Sequence, residues 1–233
     1  MRTGMKINVL RQKGPDTEPY WESFDYGGAR DLSVAGLLDY LNFSDDIIND
    51  KGERTTRIAW DCSCLQGICG ACAMVINGTP ALACETFLKD LEGDEITLQP
   101  FRKFPVIHDL VIDRTSIHEN LKQMDIYIGE YHPREGKGRT RQKEHSHQYE
   151  IAKCLKCGIC LEVCPNYTTG SSFFGAVFAN DCYLVYARNR KRSQGVRKIY
   201  AEHFAKSCSK SLSCMDVCPM NLPTIASMAK LNR

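Results

Sequence analysis

Thirteen cysteines in 233 residues constrain this chain more than any other feature, because they fall in spaced sets rather than singly. Cys64, Cys69 and Cys72 read C-x4-C-x2-C, and Cys84 follows after eleven intervening residues. Cys154, Cys157, Cys160 and Cys164 read C-x2-C-x2-C-x3-C and end on Pro165. Cys208, Cys214 and Cys218, ending on Pro219, repeat the second pattern with Ser211 in place of its second cysteine.

Disulfides would need an oxidising compartment, and the start of the chain carries no apolar signal core. No window approaches the roughly 20 apolar residues that span a bilayer. The longest apolar run, 173–187, is cut by Asn180 and Asp181. Clustered thiols in a reducing compartment argue for metal. Zinc favours paired short knuckles over one continuous loop with a distant fourth thiolate. The first set has instead the plant-type spacing of a [2Fe-2S] cluster, which assigns Cys64, Cys69, Cys72 and Cys84 as its ligands. Gly67 and Gly70 allow the loop to turn tightly, so that backbone N–H groups point at sulfur. Cys62 is an alternative to Cys64, but only Cys64 gives the four-residue gap, so Cys62 is expected to be a small buried residue.

The second set is the bacterial ferredoxin run, in which the fourth cysteine serves the other cluster. Crossing the two runs gives Cys154, Cys157, Cys160 and Cys218 to a [4Fe-4S] cluster. Cys164, Cys208 and Cys214 then hold the other. A cubane corner without a thiolate readily lacks its iron, so this cluster is expected to be [3Fe-4S], with Ser211 a poor ligand beside soft thiolates. Cys182, in an apolar run, is expected in the core. His145 and His147 are expected on a charged loop and not as metal ligands. Arg188, Arg190, Lys191 and Arg192 read as a solvated helix end.

Strands are expected at 5–10, 20–26, 73–76, 80–84 and 96–98, with Asn77-Gly78 as a turn. Ser33 caps a helix carrying Val34, Leu37, Leu38 and Leu41. Residues 110–128 are expected to be helical, 129–148 an exposed loop, and 173–187, 196–206 and 223–231 helical. Charge is divided: residues 1–136 carry 14 Lys/Arg against 22 Asp/Glu, and residues 137–233 carry 16 against 6. A basic back half suits an anionic membrane surface or a partner face.

The order of the three sets, the segment 104–114 (Phe-Pro-Val-Ile-His-Asp-Leu-Val-Ile-Asp-Arg) and the Cys-Pro ends resemble the iron–sulfur subunit of succinate dehydrogenase and fumarate reductase. The resemblance implies an α+β chain. Residues 1–108 would form a β-grasp [2Fe-2S] ferredoxin domain, 109–148 a bridging helix and exposed loop, and 149–233 a helical [4Fe-4S]/[3Fe-4S] ferredoxin domain. It further implies a flavoprotein partner carrying FAD, membrane anchor subunits with haem b, and quinone near the [3Fe-4S] cluster. The complex would sit on the cytoplasmic face of the cell membrane. The chain would relay electrons and hold no substrate site itself.

The chain departs from the family pattern at Leu65 and Ala71, where an arginine and a serine are common. It departs again at Thr168 and Thr169, in place of two tryptophans, and at Ser209, in place of a histidine. Those last positions help build the quinone site in such members, so a menaquinone-type site of different construction is expected, beside Pro165 and Tyr167. Two other readings are an iron–sulfur carrier or subunit of another soluble redox complex, and a zinc-stabilised interaction protein. Nothing in the sequence suggests nucleic-acid binding.

Overall fold

The computed structural model describes residues 4–124, 142–188 and 193–233, with no side-chain placement for 142–144 and 193. The chain divides into two compact units, Met1–Asp113 and Arg114–Arg233.

The first unit is built on a five-stranded sheet. Strands β1 (Met5–Arg11) and β2 (Tyr20–Tyr26) pair antiparallel, and helix α1 (Val34–Asn42) follows. Two short strands, β3 (Ile47–Ile48) and β4 (Arg54–Thr55), make a separate ribbon. The main sheet is completed by β5 (Ala73–Ile76), β6 (Thr79–Leu82) and β7 (Glu95–Gln99), in the order β2-β1-β7-β5-β6. Only β1 and β7 are parallel in it, which requires the long crossover that α1 occupies. A ribbon of β8 (Val106–His108) and β9 (Val111–Ile112) ends the unit.

Alternation explains the core. Met5, Ile7 and Val9 point inward from β1 and are buried, as are Phe24, Leu37, Leu38, Ile96 and Leu98. The Ser33 hydroxyl accepts the Gly36 amide at 3.1 Å and so caps α1 as expected. Asn77 and Gly78, with φ of 47° and 79°, form the left-handed two-residue turn that joins β5 to β6. The same alternation places Arg11 inside, at 1% exposure. Its guanidinium meets Glu22 at 2.6 Å and Asp109 at 3.0 Å, and donates to Thr56 and Arg57 carbonyls.

In the second unit every regular element among the described residues is helical. These are α2 (Thr115–Lys122), α3 (Gln142–Ala152), α4 (Ile159–Glu162), α5 (Gly175–Arg188), α6 (Ser193–Tyr200), a π-helical turn (Ala201–Ala205), α7 (Ser213–Asp216) and α8 (Thr224–Leu231). Helix α5 touches α2, α3, α4, α6 and α8, so it is buried on nearly all sides along its first half. That accounts for its weak amphipathic pattern. Among the described residues, no helix is long and apolar enough to cross a membrane.

Several expectations change. The helix expected at 110–128 is limited to Thr115–Lys122, because Val111 and Ile112 pair back onto β8; residues 125–128 lie outside the described set. Of the expected loop 129–148, residues 142–148 belong to α3, and 129–141 lie outside the described residues. His147 is therefore half-buried on a helix, packed 4.6 Å from the Tyr183 ring and 3.3 Å from the Ser227 hydroxyl. Burial and Lys230 both lower its pKa. His145 is exposed on the same helix. Arg188 is exposed at the end of α5, and Arg190, Lys191 and Arg192 lie outside the described residues.

Candidate metal centre

The first set of cysteines is gathered by the β5–β6 hairpin. Cys72 precedes β5 and Cys84 follows β6, and the ladder continues through an Ala83 amide to Cys72 carbonyl bond of 3.1 Å. The two sulfurs lie 3.4 Å apart. That approaches the roughly 3.8 Å expected of two thiolates on one tetrahedral metal. The segment 64–72 wraps around them with Leu65, Gly67 and Gly70 all left-handed, at φ of 54°, 71° and 77°. A Cβ on Gly67 would meet only the flexible Glu85 side chain, at 2.8 Å, so it is the left-handed conformation that favours glycine here.

This winding aims backbone amides at sulfur. Gln66 N–H donates to Cys64 Sγ at 3.3 Å, Gly67 N–H to Cys84 Sγ at 3.3 Å, and Ala71 N–H to Cys69 Sγ at 3.4 Å. The Gln66 amide, with help from Cys69 and the Ile68 amide, draws the Cys64 thiol down to about 7. Burial pushes Cys72 up to about 12. Cys62 is exposed, which corrects the expectation of a buried residue: it precedes the wrapped loop instead of entering it.

In the second unit the two cysteine runs make loops of matching shape. Lys156 and Gly158, two and four residues after Cys154, have φ of 56° and 89°. Lys210 and Leu212, two and four residues after Cys208, have φ of 59° and 63°. A helical turn, α4 or α7, begins one residue later in each case. The internal repeat is thus one of conformation, and Ser211 stands where Cys157 stands in the other copy.

Two cavities lie between the runs. One is lined by Cys154, Cys157, Cys160 and Cys218, with Cys214 on its wall. The other is lined by Cys164, Cys208, Cys214 and Ser211, with Phe173 and Phe204 behind. Cys214 and Ala176 border both. Cys182 lies in neither; it is fully buried on α5 with its sulfur 3.7 Å from Met124 Sδ, a core residue as expected.

Burial pushes Cys157 and Cys214 up to about 11, and raises Cys154 and Cys160 in the same sense, with neighbouring thiols adding to each. Packed thiols of this kind ionise together only when cations lie among them, as a metal group would supply. Among the described residues no three Cys, His, Asp or Glu side chains are placed to hold a single ion. The thiols ring spaces suited to a group of several atoms.

Sequence reasoning missed three side chains here. Lys156 and Asp181 form an ion pair beside Cys154, and both act on that thiol. Asn180 lines the first cavity. Asn180 and Asp181 entered the sequence argument only as interruptions of an apolar run; their polarity inside such a run was the available signal. At the mouth of the other cavity the Ser209 hydroxyl donates to Asn166 Oδ1 at 2.6 Å.

Comparison with known proteins agrees with this layout. Residues 6–119 match the model of a 2Fe-2S iron-sulfur cluster binding domain, and residues 150–222 that of a 4Fe-4S dicluster domain. The chain is 35% identical to the succinate dehydrogenase iron-sulfur subunit of Bacillus subtilis, over 98% of this chain and 91% of that protein. It is 30% identical to the fumarate reductase iron-sulfur subunit of Haemophilus influenzae, over 94% of this chain and 88% of that one. In fold it is similar to a chain of the Mycobacterium smegmatis Sdh1 complex, with a TM-score of 0.74 and 22% identity over 98% of this chain and 95% of that one.

Proposed function

This chain belongs to the family of succinate dehydrogenase and fumarate reductase iron–sulfur subunits, and from that premise we propose that it relays electrons between the FAD of a flavoprotein subunit and a quinone. It is an electron-transfer subunit of an oxidoreductase, and carries a 2Fe-2S domain followed by a 4Fe-4S dicluster domain. The first unit is read as a β-grasp ferredoxin domain, on the strength of its mixed sheet with a helix in the parallel crossover. The second is read as a helical ferredoxin domain.

The observation that carries the proposal is the convergence of the cysteines on three places. Cys64, Cys69, Cys72 and Cys84 would hold a [2Fe-2S] cluster; Cys154, Cys157, Cys160 and Cys218 a [4Fe-4S] cluster; Cys164, Cys208 and Cys214 a [3Fe-4S] cluster. Such clusters, when bound, accept and release single electrons. The protein's part is to fix their spacing, exclude water and aim N–H groups at their sulfurs. The Gln66, Gly67 and Ala71 amides do so at the first centre. The shared wall of Cys214 and Ala176 brings the other two centres within one side chain of each other.

Membrane anchor subunits, with haem b, would hold the complex on the cytoplasmic face of the cell membrane. The basic balance of residues 137–233 suits that placement. The rim of the third centre is built from Asn166, Ser209, Lys210 and Ser211. It differs from the tryptophan- and histidine-bearing rim of other members and supports a menaquinone-type partner.

The test is metal and spectroscopic analysis of the intact complex. About nine non-haem irons per chain are expected, with low-temperature EPR of the oxidised protein showing a three-iron signal. Stoichiometric zinc without visible absorbance would overturn the reading. Isolation of the chain without a flavoprotein would favour a free carrier instead.

A further inference from the structure

We infer that the side-chain amide of Asn180 donates a hydrogen bond to a sulfur of the group held by Cys154, Cys157, Cys160 and Cys218, and so raises its reduction potential; this rests on the four-iron reading of that cavity. Asn180 projects from α5 at 3% exposure and lines the cavity together with those cysteines. One end of its amide is fixed: it lies 3.0 Å from the hydroxyl of Thr224, itself 3% exposed and also part of the wall. The other end, the oxygen in this arrangement, has no hydrogen-bond partner among the described residues.

A buried amide end without a partner is costly, because it has lost its hydrogen bond to water and gained none. A buried polar group that the protein leaves unpaired calls for an explanation, such as a redox role or a bound group. Asn180 itself lines the cavity, so a group bound there is the partner we assign to the unpartnered end. The nitrogen and oxygen of an amide are interchangeable by a half-turn of the side chain, and the hydrogen-bond network decides between them. Thr224 settles nothing, because a hydroxyl both donates and accepts. The cavity does settle it, because thiolates and inorganic sulfides are acceptors. With the amide turned, Thr224 donates to Oδ1 and Nδ2 faces sulfur. A donor to sulfur stabilises the reduced, more negative state, and its loss lowers the potential.

The experiment uses the intact complex, with asparagine labelled by 15N at the side-chain nitrogen. In the reduced four-iron cluster a 15N hyperfine coupling is expected by pulsed EPR, and Asn180→Leu should abolish it. EPR-monitored redox titration of Asn180→Leu should show a lowered midpoint for this cluster, with the other two unchanged. A labelled parent complex with a reduced four-iron signal but no 15N coupling would overturn the inference, whether or not the variant folds. So would a coupling that survives in Asn180→Leu, or an unchanged midpoint. Absence of any four-iron signal in the parent would instead overturn the cluster reading beneath it.

Discussion

Asp109→Ala isolates the interaction that braces the entry to the first cysteine loop. Asp109 is 1% exposed; its Oδ1 lies 3.0 Å from Arg11 Nε and accepts the Gln12 amide at 3.0 Å, while Oδ2 accepts the Ala59 amide at 2.9 Å. Removing one partner of a buried ion pair costs about 3–5 kcal/mol, because the other charge stays buried. Here Glu22 still faces Arg11 at 2.6 Å, which offsets part of that cost. The two backbone amides lose their acceptor, and each unsatisfied donor costs about 1–3 kcal/mol. A net loss of about 4 kcal/mol is expected. With a urea slope of about 2 kcal/mol/M, the unfolding midpoint should fall by about 2 M. Both tryptophans of the chain, Trp21 and Trp60, lie in the first unit, so their fluorescence reports that unit alone. The apolar pair Arg11→Met with Asp109→Leu should recover little of the loss, because the Gln12 and Ala59 amides still lack an acceptor and Glu22 loses Arg11. A midpoint within 0.5 M of the parent for Asp109→Ala (about 1 kcal/mol at that slope) would refute the brace.

Three further outcomes are expected. Ser211→Cys restores the thiolate missing from the last run, so non-haem iron should rise from about nine to about ten per chain and the oxidised three-iron EPR signal should vanish. Lys156→Met and Asp181→Asn should move the midpoint of the neighbouring cluster in opposite directions in redox titration, down and up, because one removes a cation and the other an anion beside Cys154. Two shifts of the same sign would contradict this. The pKa of His147 is lowered by burial first and Lys230 second. Its unfolded form therefore takes up a proton before the folded one does, and stability of the second unit should decline as pH falls through about 6.5, the ordinary histidine value. His147→Phe should flatten that dependence in denaturation curves measured between pH 7.5 and about 5.

What was legible in the sequence depended on local spacing. Cysteine gaps, the Asn77-Gly78 turn and the Ser33 cap are short-range features whose chemistry forces one conformation. The hairpin that gathers Cys72 and Cys84 follows from them. The Arg11–Asp109 pair was illegible, because it joins positions far apart in the chain and looks on each side like surface charge. Helix α3 was masked by its composition: Gln142 to Gln148 is polar almost throughout, and its helicity comes from packing Gln148 and Ile151 inward. Cys62 misled because cysteine is usually buried, whereas here it lies just outside the loop. The left-handed Lys210 and Leu212 could have been found by aligning the two runs, since Gly158 marks the second of those positions openly.

The interleaving of the two cysteine runs bears on how the chain is made. Cys218 completes the wall of a cavity whose other cysteines are Cys154, Cys157 and Cys160. A ribosome working from the amino end exposes those three long before the fourth exists. By contrast, Cys64 to Cys84 form a closed set within the first unit. On the proposed assignment the front centre would be ready for metal while synthesis continues. On the proposed assignment the rear pair waits for Cys214 and Cys218, which lie four residues apart, and then becomes available as one.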